Sequence, residues 1–284
     1  MTAPRIFIFG MGYTARALAS HMAERAEWVR GTTRDGVNGT RVFDGAKVDP
    51  AIATDLAAAT HVIVSVPPGE DDPVLATFAG MIAAAPELRW MGYLSSVAVY
   101  GNYGGAWVTE RTTPHPKTER SVRRLAAERD WMKLAAARAI PLAVFRLAGI
   151  YGPGRNALVN LAEGKAHRIV KPSQVFNRIH VGDIAAALSA AAGQGTARTF
   201  NLADDLPAPP QDVVAYAAEI MGVSAPAEVP YATAELSPMA RAFYADNKRV
   251  KNTKAKQELG WSPRFPNYRS GLDALWQSGT WRKA

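Results

Sequence analysis

Two glycines close to the start of the chain frame the first residues able to do chemistry. Gly10-Met11-Gly12-Tyr13-Thr14-Ala15 follows a short apolar run, Arg5 to Gly10, and leads into helix-forming residues. One glycine permits a tight turn, the next lets the backbone approach a phosphate, and a small residue at Ala15 lets helix pack on strand. The helix N-terminus then presents unpaired N–H groups and a positive dipole end to anions. In this strand–turn–helix context the pattern implies a dinucleotide site formed by Gly10, Gly12, Tyr13, Thr14 and Ala15. A plain strand-to-helix turn is the alternative. Roughly 20 residues on, a carboxylate would bond the ribose 2′-hydroxyl of NAD. The slot is occupied by Thr32-Thr33-Arg34, and two hydroxyls with a guanidinium suit the 2′-phosphate of NADP. NAD remains the alternative, with Asp35 doing the carboxylate's work. A third turn, Ser65-Val66-Pro67-Pro68-Gly69, follows a strand-like run and is expected beside the cofactor through Val66, Pro67 and Pro68.

The elements that must hold these turns alternate through the first two thirds of the chain. Strands are expected at Arg5–Gly10, Glu27–Thr32, Thr40–Phe43, His61–Val66, Trp90–Ser95, Leu142–Leu147 and Thr199–Leu202, with helices over 13–24, 50–59, 72–85 and 118–139. Strands separated by helices imply βαβ units with right-handed crossovers. The fold class is therefore α/β, a doubly wound parallel Rossmann sheet. From Pro207 onward the chain is proline-rich and lacks a strong strand run. Residues 152–180 and 207–284 are read as a smaller C-terminal lobe on the substrate side, with 1–151 and 181–206 forming the dinucleotide-binding domain.

Composition narrows the classes of function. Of the 284 residues, 48% are apolar and 20% charged, and none is cysteine, which removes disulfides, thiolate catalysis and cysteine metal sites. No apolar run is long enough for a membrane span. The opening residues lack the features of a signal peptide, so a cytoplasmic location is expected. The net charge of +8 is scattered, which suits anionic small ligands better than nucleic acid. Five histidines without an H-x-x-x-H spacing give no expected metal site.

Several later segments resemble the extended short-chain dehydrogenase/reductases, the epimerase and dehydratase relatives. Tyr93-Leu94-Ser95-Ser96-Val97-Ala98-Val99-Tyr100-Gly101 is similar to their S-S-x-x-V-Y-G strand end, and Arg146 to Arg155 to their R-x-x-x-x-Y-G-P-G-R turn. Arg178 to Ala185, Phe200 to Asp205 and the Leu259-Gly260-Trp261 tail also fit, in family order. Trp107-Val108-Thr109-Glu110 and Phe176 to Val181 are similar to an atypical, YeeZ-like subgroup. The resemblance implies a Rossmann fold and NAD(P)-dependent chemistry, with Ser95 near the cofactor and Ser96 in the serine slot. By analogy it leaves a homodimer open.

The same resemblance exposes a departure. The family's Y-x-x-x-K pair precedes A-x-E, and alignment on Glu128 puts Arg120 in the tyrosine slot and Arg124 in the lysine slot. A lysine one turn from a tyrosine favours tyrosinate, so that the phenol exchanges protons near neutral pH. Arginine stays protonated and cannot take that part. Two readings follow. In one, an oxidoreductase or epimerase/dehydratase-like enzyme uses another acid, Tyr100 first and Tyr103, His115 or His180 after it. Arg120 and Arg124 then clamp an anionic small-molecule substrate. In the other, the chain binds NADP without turnover, as a sensor or scaffold. A packing role for Tyr100 and a solvated basic face for Arg120, Arg123 and Arg124 fit the sequence equally. His180 and Asp183 read as structural, holding the second lobe to the sheet. Trp107 and Tyr151 are candidates for a pocket wall.

Overall fold

The computed structural model describes residues 2–282. In chain order it contains β1 (Arg5–Phe9), α1 (Tyr13–Met22), β2 (Trp28–Thr33), β3 (Arg41–Val42), α2 (Ala51–Ala58), β4 (His61–Val64), α3 (Pro73–Ala84), β5 (Trp90–Ser96), α4 (Glu119–Arg138) and β6 (Leu142–Leu147). Then come α5 (Ala157–Ala162), α6 (Val181–Gln194), β7 (Thr199–Leu202), α7 (Pro210–Met221), α8 (Pro238–Ala245), α9 (Thr253–Leu259) and α10 (Tyr268–Gln277). The seven strands form one sheet in the order β7-β6-β5-β4-β1-β2-β3. Every neighbouring pair is parallel; Ile6, for example, lies opposite Val29 on one side and His61 on the other.

Both faces of the sheet are covered, which is why its strands read as nearly unbroken apolar runs. Side chains alternate across β1. Ile6 and Ile8 join Leu18 of α1, Leu188 of α6, Phe145 and Phe200 on one face. Phe7 and Phe9 join Phe78 of α3 and Trp131 of α4 on the other. The strand order turns back between β1 and β4, and the crevice beyond their carboxyl ends is where open α/β sheets bind ligands. Both the Gly10–Gly12 turn and the turn after β4 end at this crevice.

The C-terminal third packs around separate apolar groups, chiefly Tyr151, Leu158, Val213, Tyr268, Leu272 and Leu275. Short strands run through it, contrary to the sequence expectation for the tail. Glu228–Pro230 pairs with Arg168–Val170, and Arg249–Val250 with Trp107–Val108. Elements of two or three residues are too short to carry a period of two. Asp183 fastens this lobe to α6: its carboxylate accepts from the backbone N–H groups of Arg264 (2.7 Å) and Phe265 (3.1 Å). Among the described residues no helix is long and apolar enough to cross a membrane.

Candidate active site

The glycine turn is held by β2. Gly10 N–H donates to the Thr32 hydroxyl at 2.9 Å, and Met11 N–H to the Thr32 carbonyl at 2.7 Å. Gly10 has φ +86° and lies against the turn after β4, where an added Cβ would come within 2.9 Å of Val66 Cγ2. Gly12 stands at the N-terminus of α1, with open space where a side chain would project. No side chain caps this helix and no acidic residue lies in its first turn. An uncapped N-terminus facing a cleft suits an anion, which is how these residues fit a dinucleotide's phosphates. Thr14 lines the cleft, while Ala15 is buried where α1 packs on the sheet. Tyr13 donates to the Pro153 carbonyl at 2.9 Å, tying α1 to the loop after Tyr151. Burial pushes its phenol up to about 12.

The end of β2 sorts its threonines and arginines. Thr32 is fully buried and its hydroxyl is engaged by Gly10, so it shapes the turn rather than meeting a phosphate. Thr33 is bonded to Thr40 (2.7 Å) and to Gly36 N–H (2.9 Å). Arg30 and Arg41 both pair with the buried Asp55. Arg34 is exposed, and no carboxylate lies within salt-bridge distance among the described residues. Asp35 is held ionised below its ordinary range, first by the Thr33 hydroxyl. Pro67 is exposed, and Val66 and Pro68 are partly buried, beside the glycine turn.

A cavity of about 1080 Å³ opens from this cleft toward the C-terminal lobe. Ser95, Ser96, Arg120 and Arg124 all border it. Ser96 ends β5 and accepts from Ala98 N–H at 3.2 Å, which leaves its own proton free to be donated. Arg124 donates to the Leu94 carbonyl at 3.0 Å and lies over the Tyr93 ring. Arg120 is exposed at the rim. Ser95 is buried and donates to Glu128. Glu128 accepts two further bonds from Arg146, at 3.1 and 2.7 Å. Burial alone would pull the Arg146 guanidinium down, but Glu128 reverses this and holds it above its ordinary value.

Tyr100 is not where its spacing from Ser96 suggested. The chain leaves β5 in a single tight helical turn, Val97–Tyr100, which carries Tyr100 under the sheet end. It is fully buried, donates to Asn201 at 2.8 Å, accepts from Arg146 at 3.0 Å and does not border the cavity. Burial raises its pKa. Tyr100 is thus a packing residue in the Glu128–Arg146 network, and the expectation of a tyrosine acid is corrected. Tyr103 and His115 stack on one another away from the cavity. His180 is buried against Phe265 and Tyr151, caps α6 by accepting from Gly182 N–H, and is driven down to about 4 by burial. Trp107 is 47% exposed under Lys251, outside the cavity, so it does not line a pocket; Tyr151 does. Its ring occupies the space a Cβ on Gly271 would need, with Tyr151 Oη only 2.0 Å from that position.

Sequence reasoning missed Arg155, Arg178 and Lys248, which complete the cavity wall. Lys248 is buried and donates to the Gly101 carbonyl at 2.8 Å. Desolvation lowers its pKa. Its only local signal was a basic stretch, which ordinarily reads as a solvated face.

The sequence model of the NAD dependent epimerase/dehydratase family matches residues 8–203, from β1 through β7. A 3-diazoavenalumate denitrifying reductase of a Streptomyces species is 26% identical over 170 residues, 56% of this chain and 54% of that protein. The chain thus spans about half the length of that curated relative. A functionally unknown conserved protein from Silicibacter pomeroyi is 43% identical, with TM-score 0.88 over 97% of this chain and 99% of its own. A human epimerase family protein solved with NADPH has TM-score 0.73 at 18% identity, over 96% and 99% of the two chains, and supports the fold alone. With the parallel sheet, the glycine turn and the matched span in agreement, the chain belongs to the NAD-dependent epimerase/dehydratase family.

Proposed function

We propose that the protein is an NADP-dependent oxidoreductase or epimerase-like enzyme whose proton chemistry does not use a Tyr/Lys pair. The observation that carries the reading is the junction of two features. The uncapped α1 N-terminus beside Gly12 opens into the cavity bordered by Ser96, Arg120 and Arg124. Gly10, Gly12, Tyr13, Thr14 and Ala15 would hold the pyrophosphate turn, with Val66, Pro67 and Pro68 along one side and Ser95 shaping the floor. Arg34, unpaired beyond β2, would meet the 2′-phosphate. That a human epimerase family protein of the same fold was solved with NADPH is in keeping with a dinucleotide in this cleft. Bound there, a nicotinamide would supply hydride transfer.

The chain's own residues orient the substrate and handle the proton. Arg120 and Arg124 are permanent cations one helical turn apart and bind a substrate oxyanion. Ser96 donates a hydrogen bond to the substrate oxygen. Lys248, whose proton affinity is lowered by burial in the cavity wall, takes the general-acid role. The removal of Tyr100, Tyr103 and His115 from the cavity favours a second reading, cofactor binding without turnover.

Calorimetric titration of the purified protein with NADPH and NADH is the test. Submicromolar NADPH binding with weaker NADH binding is expected. Correctly folded protein that binds neither would overturn the assignment.

A further inference from the structure

The cavity's charges do not cancel. Its two carboxylates are each taken by a lysine of the same wall, Glu163 by Lys165 at 2.8 Å and Asp246 by Lys248 at 3.3 Å. Arg120, Arg124, Arg155 and Arg178 are left with no carboxylate within 4 Å among the described residues. Arg155 lies over the Tyr13 ring beside the phosphate turn, and Arg124 is bonded at the end of β5. Arg178 differs. It lies in the C-terminal lobe, where one terminal nitrogen donates to the carbonyls of Phe176 (3.0 Å) and Ala208 (3.1 Å). That grip fixes the guanidinium plane and leaves its other edge without a hydrogen-bond partner among the described residues.

Beyond the Asp204 carboxyl and the Tyr151, Tyr244 and Tyr268 phenols near Arg178, much of the cavity wall is apolar. Phe176, Val213, Val214, Phe243, Tyr268 and Leu272 border the cavity, and Phe243 is 59% exposed. Both buried amides of the wall, and the hydroxyls at the start of α4, are already committed. Asn156 donates to the Gly152 and Trp281 carbonyls and accepts from Val159 N–H. Asn177 donates to the Lys248 carbonyl and accepts from Val250 N–H. Thr118 and Ser121 bond one another at the start of α4. Asn160 and His167 in the lobe, Tyr268 beside Arg178, and Thr14, Ser65 and Ser96 toward the cofactor cleft keep hydroxyl, amide or ring donors without a side-chain partner among the described residues. A ligand carrying many hydroxyls would find neither buried amide free to replace its lost water, at a cost for each group left unpaired.

We infer that the substrate is a carboxylic acid with a flat or apolar body: Arg178 receives the carboxylate and the Phe176–Phe243 wall receives the body. A planar guanidinium with one free edge suits the two oxygens of a carboxylate. This substrate class rests on the proposed enzymatic reading, which supplies the reacting end near Ser96.

The test uses the full chain saturated with NADPH and titrates 3-phenylpropionate, its neutral amide and UDP-glucose by calorimetry. Saturable binding of the acid is expected, with the amide and the sugar nucleotide each at least tenfold weaker. Arg178→Met should lose at least tenfold for the acid while NADPH affinity stays within twofold, which also shows that the variant folds. Phe243→Ser, at an exposed position, should weaken the acid and its amide in parallel. Equal affinity for acid and amide, tighter binding of UDP-glucose, or an Arg178→Met protein that binds NADPH and the acid as before would overturn the inference and leave the cofactor reading standing. Failure to bind NADPH would instead sink the proposed function.

Discussion

Replacing Glu128 by glutamine tests the network beneath the site. The Glu128 side chain is 1% exposed and that of Arg146 7%. The two share paired bonds, with Ser95 on the same carboxylate and Tyr100 on the same guanidinium. Glu128→Gln keeps the shape but leaves the arginine charge buried without its counterion. Breaking a buried pair from one side costs roughly 3–5 kcal/mol, a large part of the ~5–15 kcal/mol that holds a native protein. With a urea slope of about 3 kcal/mol per molar, the unfolding midpoint should fall by roughly 1–1.7 M. The double variant Glu128→Met/Arg146→Met should recover most of that loss, since an apolar replacement of the whole pair is often neutral. Urea unfolding followed by circular dichroism on the wild type and both variants measures this. If Glu128→Gln unfolds within about 1 kcal/mol of the wild type, burial of the pair has been misjudged, and with it the argument that Tyr100 is structural.

Three further outcomes follow from the site and the lobe. Gly12→Glu places a carboxylate in the open space before α1 and should abolish NADPH binding in a calorimetric titration; unchanged affinity would remove the phosphate site from this turn. Arg34→Ala should weaken NADPH by about tenfold or more, the worth of one charge-assisted hydrogen bond, and leave NADH nearly unchanged. Equal losses for both cofactors would dismiss the 2′-phosphate contact. Asp204 is buried, has an unpartnered oxygen and is pushed up to about 8 by burial. Its folded pKa lies above the unfolded value near 4, so the folded state holds a proton that the unfolded state releases. Stability should therefore fall as pH rises from about 4 to 8, by on the order of 1 kcal/mol per pH unit. His180, depressed to about 4, acts with the opposite sign below about pH 6.5, but equally in wild type and variant. Asp204→Asn should flatten the profile between pH 6.5 and 8, read by urea unfolding; superimposable profiles would show that Asp204 is ionised in the folded protein.

The sheet was legible because each strand carries its own signal. Leu142–Leu147 and His61–Val64 are apolar on both faces, as strands between two helical layers must be. The glycine turn was legible because glycine is favoured where φ is positive, as at Gly10. Arg146 held a signal that spacing arguments passed over. A lone charge inside a fully buried strand demands a buried counterion, and Glu128 sits on the face of α4 that also buries Leu125 and Trp131. The Tyr100 hydroxyl fills the remaining side of the same guanidinium, a contact that neither the charge nor the spacing from Ser96 announces.

Arg178 and Lys248 had no such local signal, because their places are set by partners far along the chain. The Asn177 amide reaches the Lys248 carbonyl 71 residues away, and Lys248 reaches the Gly101 carbonyl 147 residues back. The strands that carry Arg178 and flank Lys248 are only two or three residues long. A period needs more residues than that to be read, so the half of the cavity proposed to receive the substrate is written in long-range contacts. The half proposed to hold the cofactor is written in a local motif, the six residues from Gly10 to Ala15. That difference is why the sequence offers a cofactor site as a local motif, while the inferred substrate class rests on the arginines and the committed amides of the wall seen together.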